Sequence, residues 1–345
     1  MRILMTTDVI GGVWTFTQEL ATGLLERGCA VALVSLGRLP STQQQHWADA
    51  MVRSWDGCFC FRSTETPLEW MQGNDRAYSE AAPLLLRLAE QFEADLLHCN
   101  QFCFGALPVS APKVVTAHSD VLSWAESCRN VPLEESSWLR QYRYLVREGL
   151  DQADAVIAPT CWMMNALSRN FRLPREQQII ANGRTIALLP QTPRKLQAVT
   201  AGRLWDEAKN IGMFSHVDSP MPLIIAGDDC CEQETAPADL KHAEFLGALS
   251  QEALLSCFAE SAIYICSSIY EPFGLAPLEA ALCGCAVLAH DIPSLREVWD
   301  DGAIYFSDAD SLSQALQALH ADTQLLARAQ IRSFLQARRY SRAAM

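Results

Sequence analysis

The chain has 345 residues, of which 50% are apolar and 19% are charged, and its formal net charge is −13. This composition is typical of a globular protein with sizeable cores and argues against long disordered segments. The negative charge disfavours a broad nucleic-acid-binding surface, so we expect no nucleic-acid partner. At about 100–200 residues per domain, the length predicts two domains.

The N-terminal residues lack the pattern of a secretory signal, because the short apolar run at residues 1–5 soon meets Asp8 and two glycines. No uncharged apolar run reaches the roughly 18–20 residues that a membrane-spanning helix needs. We therefore expect a cytoplasmic protein, with a weak peripheral contact at the inner membrane face left open.

Thirteen cysteines are present, and none of them forms a CxxC pair. Zinc sites usually show two such pairs, or one pair together with two histidines. We expect reduced thiols that act as small apolar residues.

Strand and helix patterns alternate through the first half of the chain. Apolar runs predict strands at residues 2–6, 30–36, 96–98, 113–117 and 155–158. Between them, apolar residues at helical spacing predict a helix that ends at Gly28 and helices at 84–92, 138–150 and 161–170. A strand followed by a glycine-containing turn, a helix and another strand implies a parallel sheet.

The second half repeats this alternation. Strands are predicted at 198–202, 223–226, 262–266 and 286–289, and helices at 251–258 and from residue 278 onward. Residues 186–196 include Pro190 and Pro193 and have little helix or strand pattern. We therefore predict an α/β protein with two Rossmann-like, doubly wound domains at 1–188 and 189–330, a cleft between them, and a C-terminal tail at 331–345.

The segment at residues 267–280 has the densest chemical pattern. Glu271 and Glu279 are separated by seven residues, and we expect the first in a strand-to-helix loop and the second in the first helical turn. Ligands of open α/β sheets bind at the carboxyl ends of strands, and carboxylates accept hydrogen bonds well from sugar hydroxyls. By charge pattern alone we favour the plain alternative, in which Glu271 is a solvated loop residue and Glu279 only favours the positive end of its helix.

This segment resembles the Glu-x7-Glu signature of retaining glycosyltransferases of family 4, also called glycosyltransferase group 1, which have the GT-B fold. The resemblance implies that Glu279 holds the ribose hydroxyls of a nucleotide-sugar donor and that Glu271 lies near the transferred sugar. It also implies that amides of Phe273, Gly274 and Leu275 contact the sugar and the phosphates.

A second segment, Gly202-Arg203-Leu204 followed by Lys209-Asn210, resembles the family's Gly-Arg-Leu and Lys-Gly. The resemblance implies that Arg203 and Lys209 clasp the diphosphate. Two cations would stabilise the charge of a departing nucleotide diphosphate and take the place of a divalent metal, so we expect no metal and no cofactor. The alternative is that both are surface cations that pair with Asp206 or Glu207.

Three glycines are further donor-site candidates. Gly11 and Gly12 resemble the family's Gly-Gly after its first strand, where backbone amides approach the donor phosphate and the acceptor. Without the resemblance, this pair is equally well a tight turn before a helix. Gly227, in Gly227-Asp228-Asp229, resembles the family's Gly-x-Gly turn that shapes the nucleotide pocket.

His118 ends a predicted strand, where the family often has a histidine that lines the donor sugar site. The resemblance implies either a contact with a sugar hydroxyl or stabilisation of positive charge at the anomeric carbon by the backbone carbonyl of His118, although a lone histidine is often structural. Ser119 and Asp120 are lesser candidates for contacts with the acceptor. In Asn182-Gly183-Arg184-Thr185, Arg184 and Thr185 replace the Val-Asp of the family pattern.

Arg140, Arg143 and Arg147 fall near one face of a predicted helix. Such a face can contact acidic lipid headgroups or a phosphorylated acceptor. The alternative that we favour is a solvated face paired with nearby glutamates.

Together these patterns predict a retaining, metal-independent hexosyltransferase. It would move a sugar from a UDP-, GDP- or ADP-linked donor to a sugar, lipid-linked or small-molecule acceptor, in the synthesis of a cell-surface polysaccharide or glycoconjugate. Two alternatives stay open, namely a GT-B-fold nucleotide-sugar 2-epimerase and a non-catalytic partner that binds sugar nucleotides.

Overall fold

A computed structural model describes residues 1–186, 194–228, 240 and 243–345. The chain divides into two compact units, which we call unit 1 (Met1–Ala181) and unit 2 (Asn182–Met345). The predicted linker prolines Pro190 and Pro193 lie outside the described residues, as does the predicted boundary at 188/189. Asp229, Cys230 and Cys231 also lie outside them.

In unit 1, the described residues form a parallel sheet of seven strands in the order β3-β2-β1-β4-β5-β6-β7. In chain order the strands are β1 (Arg2–Asp8), β2 (Ala30–Leu36), β3 (Phe59–Ser63), β4 (Leu96–Cys99), β5 (Lys113–Thr116), β6 (Ala155–Ala158) and β7 (Glu176–Ile179). The chain therefore runs outward from β1 to one edge, returns to β4 beside β1, and runs outward to the other edge. The carboxyl ends of β1 and β4 flank the point where the direction reverses.

The helices of unit 1 are α1 (Gly12–Glu26), α2 (Thr42–Ser54), α3 (Ala77–Gln91), α4 (Val121–Arg129), α5 (Ser137–Gln152) and α6 (Cys161–Asn170), with 3₁₀ helices at Asn74–Arg76 and Phe102–Ala106. Side chains cap several of them, as where Ser41 accepts from the Gln44 amide and Thr160 accepts from the Met163 amide. Helix α3 begins seven residues before the predicted start, because Ala77, Ala81 and Leu85 are buried at helical spacing.

Unit 2 repeats the arrangement with a six-stranded parallel sheet in the order β10-β9-β8-β11-β12-β13 within its described residues. Its strands are β8 (Lys195–Ala201), β9 (Leu223–Ala226), β10 (Ala243–Gly247), β11 (Ser261–Cys266), β12 (Ala286–His290) and β13 (Ala303–Phe306). The reversal point of this sheet lies between β8 and β11. Two doubly wound α/β units are what the sequence predicted.

The helices of unit 2 are α7 (Gln251–Glu260), α8 (Leu275–Leu282), α9 (Pro293–Trp299), α10 (Ala309–Ala321) and α11 (Thr323–Ala337), with 3₁₀ helices at Glu207–Lys209, Ile211–His216 and Asp300–Gly302. The predicted start of the C-terminal tail, residue 331, falls inside α11. Hydrogen bonds attach this helix to the rest of unit 2. The Ser333 hydroxyl donates to the Gly302 carbonyl at 2.7 Å, and the side-chain amide of Gln336 donates to the Val298 carbonyl at 2.6 Å. Across the described part of the chain, no helix has the length and apolarity needed to span a membrane.

Two glycines allow α5 to pack directly on the 3₁₀ helix Phe102–Ala106. A Cβ atom on Gly149 would lie 1.8 Å from the Phe102 carbonyl oxygen, and one on Gly105 would lie 2.2 Å from the Gly149 carbonyl oxygen. Both distances are far below van der Waals contact, so any side chain here would push the two elements apart. This packing holds the segment that follows β4 in place.

We expect Gly149→Ala to lower the free energy of unfolding by about 2–3 kcal/mol, because overpacking outweighs the roughly 1 kcal/mol by which alanine favours a helix over glycine. Urea denaturation followed by circular dichroism measures this change. Gln152→Ala, at an exposed position of the same helix, is the control and should change stability by less than about 0.5 kcal/mol. Equal stability of Gly149→Ala and the parent would contradict the close packing.

Candidate active site

The candidate site of unit 2 begins where β8 and β9 end. Gly227 follows β9 with φ 148°, and a Cβ atom on it would lie 1.8 Å from the Gly202 carbonyl oxygen. A Cβ atom on Gly202 would lie 3.1 Å from Cε of Lys209. The two glycines therefore let the strand ends meet closely and let the aliphatic part of Lys209 lie against Gly202.

Lys209 forms an ion pair with Glu271, with 2.6 Å between Nζ and Oε2. The Ser268 hydroxyl donates to the same carboxylate oxygen at 3.2 Å. The Ser267 hydroxyl donates to the Lys209 carbonyl at 2.7 Å, which ties the loop after β11 to the loop after β8. Burial alone would lower the pKa of Lys209, but the charge and hydrogen bond of Glu271 raise it above its usual value. The ammonium group therefore stays charged.

Arg203 lies close enough to Lys209 for its charge to oppose this rise in the pKa of Lys209. Its guanidinium pairs with Asp206 at 2.7 Å, which is the alternative that the sequence left open, and it also lies 5.4 Å from the Trp205 ring centroid. The Arg203 side chain is 40% exposed. Asp206 is buried, but the guanidinium of Arg203 is partly exposed, so water screens this pair and reduces its contribution.

Helix α8 begins at Leu275, directly after Gly274, whose φ of 90° is left-handed. A Cβ atom on Gly274 would lie 2.8 Å from Cγ of Pro277 and 3.3 Å from Cγ of Glu271. The predicted start at residue 278 is therefore three residues late, and Glu279 is the fifth residue of α8, in its second turn instead of its first. Pro277 does not prevent this earlier start, because amides in the first turn need no helical partner.

Glu279 is buried and paired with a cation. Its Oε1 accepts from Nε of Arg184 at 2.7 Å and from Nε2 of Gln251 at 3.0 Å. The Arg184 and Glu279 side chains are only 11% and 6% exposed. The backbone amide of Arg184 donates to the Tyr340 carbonyl at 2.9 Å, and the Tyr340 ring meets the Phe273 ring edge-on with centroids 5.3 Å apart. These contacts fix the carboxylate of Glu279 from two sides.

The fully buried Tyr264 lies close enough to both carboxylates for their charges to affect its pKa. Its hydroxyl donates to the Ala201 carbonyl at 3.3 Å, at the end of β8. Burial raises the pKa of Tyr264 well above its usual value, and the charges of Glu271 and Glu279 raise it further. Glu271 and Glu279 therefore both lie near this hydroxyl. The structure brings the predicted residues of unit 2 together at the carboxyl ends of β8 and β11.

In unit 1, Gly11 ends the loop after β1 with φ 63° and precedes α1, whose N-terminus has no side-chain cap. Gly11 and Gly12 are both exposed, and the Asp8 carboxylate accepts from the Ile10 amide at 2.8 Å, which shapes the loop. The first residues of α1 are thus exposed at the carboxyl end of β1, without a side-chain cap. Backbone amides at such a helix start suit an anion.

His118 lies two residues beyond β5. Its Nε2 lies 2.8 Å from Oδ1 of Asn100, and its ring meets the Phe16 ring of α1 edge-on with centroids 4.6 Å apart. Burial, with a smaller contribution from the charge of His98, lowers the pKa of His118 to about 3. The imidazole is therefore neutral at physiological pH.

The two acceptor-side candidates differ in exposure. Ser119 is exposed, whereas Asp120 is buried and caps α4. Oδ1 of Asp120 accepts from the amides of Leu122 at 2.9 Å and Ser123 at 3.2 Å. Burial raises the pKa of Asp120. The carboxylate of Asp120 therefore stabilises the N-terminus of α4.

Comparison with known proteins shows the family to which the chain belongs. The family model described as Glycosyltransferase Family 4 matches residues 10–187, and the one described as Glycosyl transferases group 1 matches residues 209–333. The chain belongs to the group 1 glycosyltransferases. It is an enzyme of the transferase class.

Two relatives match this glycosyltransferase over most of its length. Alpha-monoglucosyldiacylglycerol synthase of Streptococcus pneumoniae is 23% identical over 93% of this chain and 79% of its own. Alpha-maltose-1-phosphate synthase of Mycobacterium tuberculosis is 26% identical over 93% of this chain and 90% of its own.

Solved structures show the same fold. Sucrose-phosphate synthase from Thermosynechococcus elongatus superposes with a TM-score of 0.72 at 15% identity, covering 99% of this chain and 94% of its own. The Anabaena protein HepE, solved with UDP and glucose, has a TM-score of 0.72 at 17% identity, covering 99% of this chain and 96% of its own. The predicted GT-B fold class is thus confirmed.

The sequence did not identify several residues that contact the candidate site of this glycosyltransferase. Arg184 was noted only as a departure from the family pattern, while Gln251, Tyr340 and Asn100 were not considered for the site. Arg184 carried a usable signal, because an arginine where relatives have an apolar residue needs a carboxylate partner if it is buried. The other three carried no local signal.

The arginine face of α5 matches the favoured alternative. Arg143 pairs with Glu135, and Arg147 lies 3.5 Å from Glu148. Both pairs are solvent-exposed. The positive charge of this face is therefore largely balanced by neighbouring carboxylates.

The described cysteines of this glycosyltransferase are free thiols. Burial raises the pKa of Cys266 and of Cys283 to about 12, so both stay protonated beside the candidate site. They pack as small apolar side chains.

We expect Arg184→Met to lower the free energy of unfolding by about 3–5 kcal/mol, because it leaves the Glu279 carboxylate buried without its cation. The double variant Arg184→Met/Glu279→Gln should recover most of this loss. Urea denaturation of both variants measures the coupling. Arg143→Met, which breaks an exposed pair, is the control and should cost less than about 1 kcal/mol. A double variant no more stable than the single one would contradict the burial argument.

Proposed function

We propose that this chain is a retaining glycosyltransferase that moves a sugar from a nucleotide-diphosphate donor to an acceptor hydroxyl without a divalent metal. The observation that carries the proposal is the ammonium group of Lys209. It is held charged beside Glu271, next to the uncapped start of α8. The ammonium group and the helix start would place positive charge beside the diphosphate as its bond to the sugar breaks.

Three features support a diphosphate site in unit 2. Gly274 places the first amides of α8 without a side-chain cap, and helix N-termini bind anions. Lys209 and the half-exposed Arg203 add two cations. HepE was solved in complex with UDP and glucose, so a UDP-sugar is the first donor to test, before GDP- and ADP-sugars.

We assign the donor's ribose to Glu279. Its carboxylate is held in one orientation by Arg184 and Gln251, and a held carboxylate accepts well from two neighbouring hydroxyls. Amides of Phe273, Gly274 and Leu275 would contact the phosphates and the sugar. Gly227 would shape the nucleotide pocket through its close approach to Gly202.

We assign the remaining contacts to unit 1. The exposed amides of Gly11 and Gly12 would approach a phosphate, and His118 would accept from or donate to a sugar hydroxyl. Ser119 is the better acceptor-side candidate, because the Asp120 carboxylate already caps a helix.

The proposed reaction needs no protein nucleophile. The bond from the anomeric carbon to the diphosphate oxygen breaks, and the acceptor oxygen forms its bond on the same face. The acceptor hydroxyl gives its proton to the leaving phosphate oxygen. Lys209 and Arg203 would stabilise the charge that develops on the diphosphate, while Glu271 would keep Lys209 in position and lie near the sugar.

For the acceptor, the names of the relatives describe a glucosylated diacylglycerol and a phosphorylated disaccharide as products. The acceptor hydroxyl would therefore belong to a lipid or to a sugar, and the reaction to glycolipid or polysaccharide synthesis. We propose that the enzyme works in the cytoplasm, with at most a weak peripheral membrane contact. The paired charges of α5 argue against a strong electrostatic contact through that face.

The test incubates the protein with UDP-, GDP- and ADP-sugars, with diacylglycerol, glucose 1-phosphate, maltooligosaccharides or no acceptor, and with EDTA in parallel. Proton NMR of the products gives the anomeric configuration. Transfer with retention, unaffected by EDTA, supports the proposal, whereas inversion or loss of activity with EDTA contradicts it. A donor-only product indicates a 2-epimerase, and binding without turnover indicates a non-catalytic partner.

We expect Lys209→Ala to lower kcat by about 100-fold at saturating donor, the scale for losing one positioned group that stabilises developing charge. Initial rates measure this, and a thermal melt checks that the variant is folded. Lys195→Ala is the matched control, because the Lys195 ammonium also pairs with a glutamate, Glu260, but is solvent-exposed at the amino end of β8. Unchanged kcat in Lys209→Ala would remove Lys209 from the mechanism.

A further inference from the structure

The side-chain amide of Asn100 has a defined orientation. Asn100 directly follows β4, and its Nδ2 lies 2.7 Å from the carbonyl oxygen of Thr6 in β1 and 3.3 Å from the Thr17 hydroxyl of α1. A carbonyl oxygen can only accept, so the atom facing Thr6 must be the NH₂ group. The backbone amide of Asn100 also donates to the Thr6 hydroxyl at 3.1 Å, which fixes the residue on β1. The oxygen Oδ1 is therefore the atom directed at His118.

This orientation determines which ring nitrogen of His118 carries the proton. Oδ1 of Asn100 has no hydrogen, so Nε2 of His118, at 2.8 Å, must be the donor. Because the imidazole is neutral, Nδ1 then holds a lone pair. The edge-on contact with Phe16 restricts rotation of the ring, so that the two nitrogens do not exchange places easily.

We propose that Asn100 is a positioning residue that holds His118 in the Nε2–H tautomer, so that Nδ1 accepts a hydrogen bond from a substrate hydroxyl. The use of Nδ1 rests on the proposed glycosyl transfer. The tautomer itself rests only on the contacts among Thr6, Asn100 and His118. A hydroxyl that donates its hydrogen to Nδ1 has its oxygen lone pairs directed away from the ring. Such a bond would hold a sugar hydroxyl in one orientation.

A second buried asparagine provides a matched control. Asn74 is as buried as Asn100, and its Nδ2 also donates to backbone carbonyls, those of Glu69 at 3.0 Å and Trp138 at 3.1 Å. Its bonding partners do not include a histidine. Removal of either side-chain amide should lower the free energy of unfolding by a comparable amount. Only removal of the Asn100 amide should change the tautomer of His118.

The first experiment is NMR of the unmodified chain with ¹⁵N-labelled histidine. Long-range proton–nitrogen correlations distinguish the two tautomers, and the spectrum of His118→Gln identifies the signals of His118 among the seven histidines. We expect a protonated Nε2 and an unprotonated Nδ1. A protonated Nδ1, or averaged signals from both tautomers, would overturn the proposal without reference to any variant at Asn100.

The second experiment compares Asn100→Ala with Asn74→Ala. We expect Asn100→Ala to mix the two tautomers and to lower kcat about 10–100-fold, the scale known for partners that orient metal-bound histidines. Asn74→Ala should lower the melting temperature while leaving tautomer and kcat unchanged. If Asn100→Ala keeps both the tautomer and kcat, the positioning role is wrong.

The two proposals fail separately. A chain that shows the Nε2–H tautomer but transfers no sugar contradicts the proposed function, since the NMR measurement needs no substrate. A chain that transfers sugar with His118 in the other tautomer contradicts only the role of Asn100.

Discussion

The structure of unit 2 depends on the pairing of two carboxylates that lie largely out of water. An isolated buried carboxylate costs several kcal/mol, so Glu271 needs Lys209 and Glu279 needs Arg184. Both pairs lie at the carboxyl ends of β8 and β11, where the direction of the chain reverses. This is where open α/β sheets bind ligands. The two ion pairs thus offset the cost of burying these charges at a place where a diphosphate and a sugar could bind.

The reversal point of unit 1, between β1 and β4, contains a network of neutral groups beside the buried carboxylate of Asp8. Hydroxyls, an amide and imidazoles make up this network, and their mutual hydrogen bonds offset the cost of burial. Such a network has little freedom, because each member fixes the donor or acceptor role of the next. The division is consistent with the two roles that we propose, namely binding of a charged diphosphate by unit 2 and orientation of neutral hydroxyls by unit 1.

Local sequence predicted the features that depend on local physics. The apolar runs of β1, β2 and β8, the glycine turns, and the loop with Glu271 before a helix were all visible, because each follows from neighbouring residues. The start of α8 was predicted three residues late, because Leu275–Pro277 form its first turn and proline is tolerated there. The partners of the site residues were not predictable in the same way. Arg184 meets Glu279 across 95 residues of sequence, and Asn100 meets His118 only because β4 and β5 are adjacent in the sheet.

The central claim, that Glu279 holds the nucleotide of the donor, is tested most directly by titration calorimetry with UDP, GDP and ADP. The parent chain should bind at least one of them, and Glu279→Gln should bind it about 10–100-fold more weakly, because hydrogen bonds to a charged group contribute about 1.5–3 kcal/mol. Glu260→Gln, which alters an exposed carboxylate of the same unit, should bind like the parent. Equal affinity of Glu279→Gln and the parent would contradict the account.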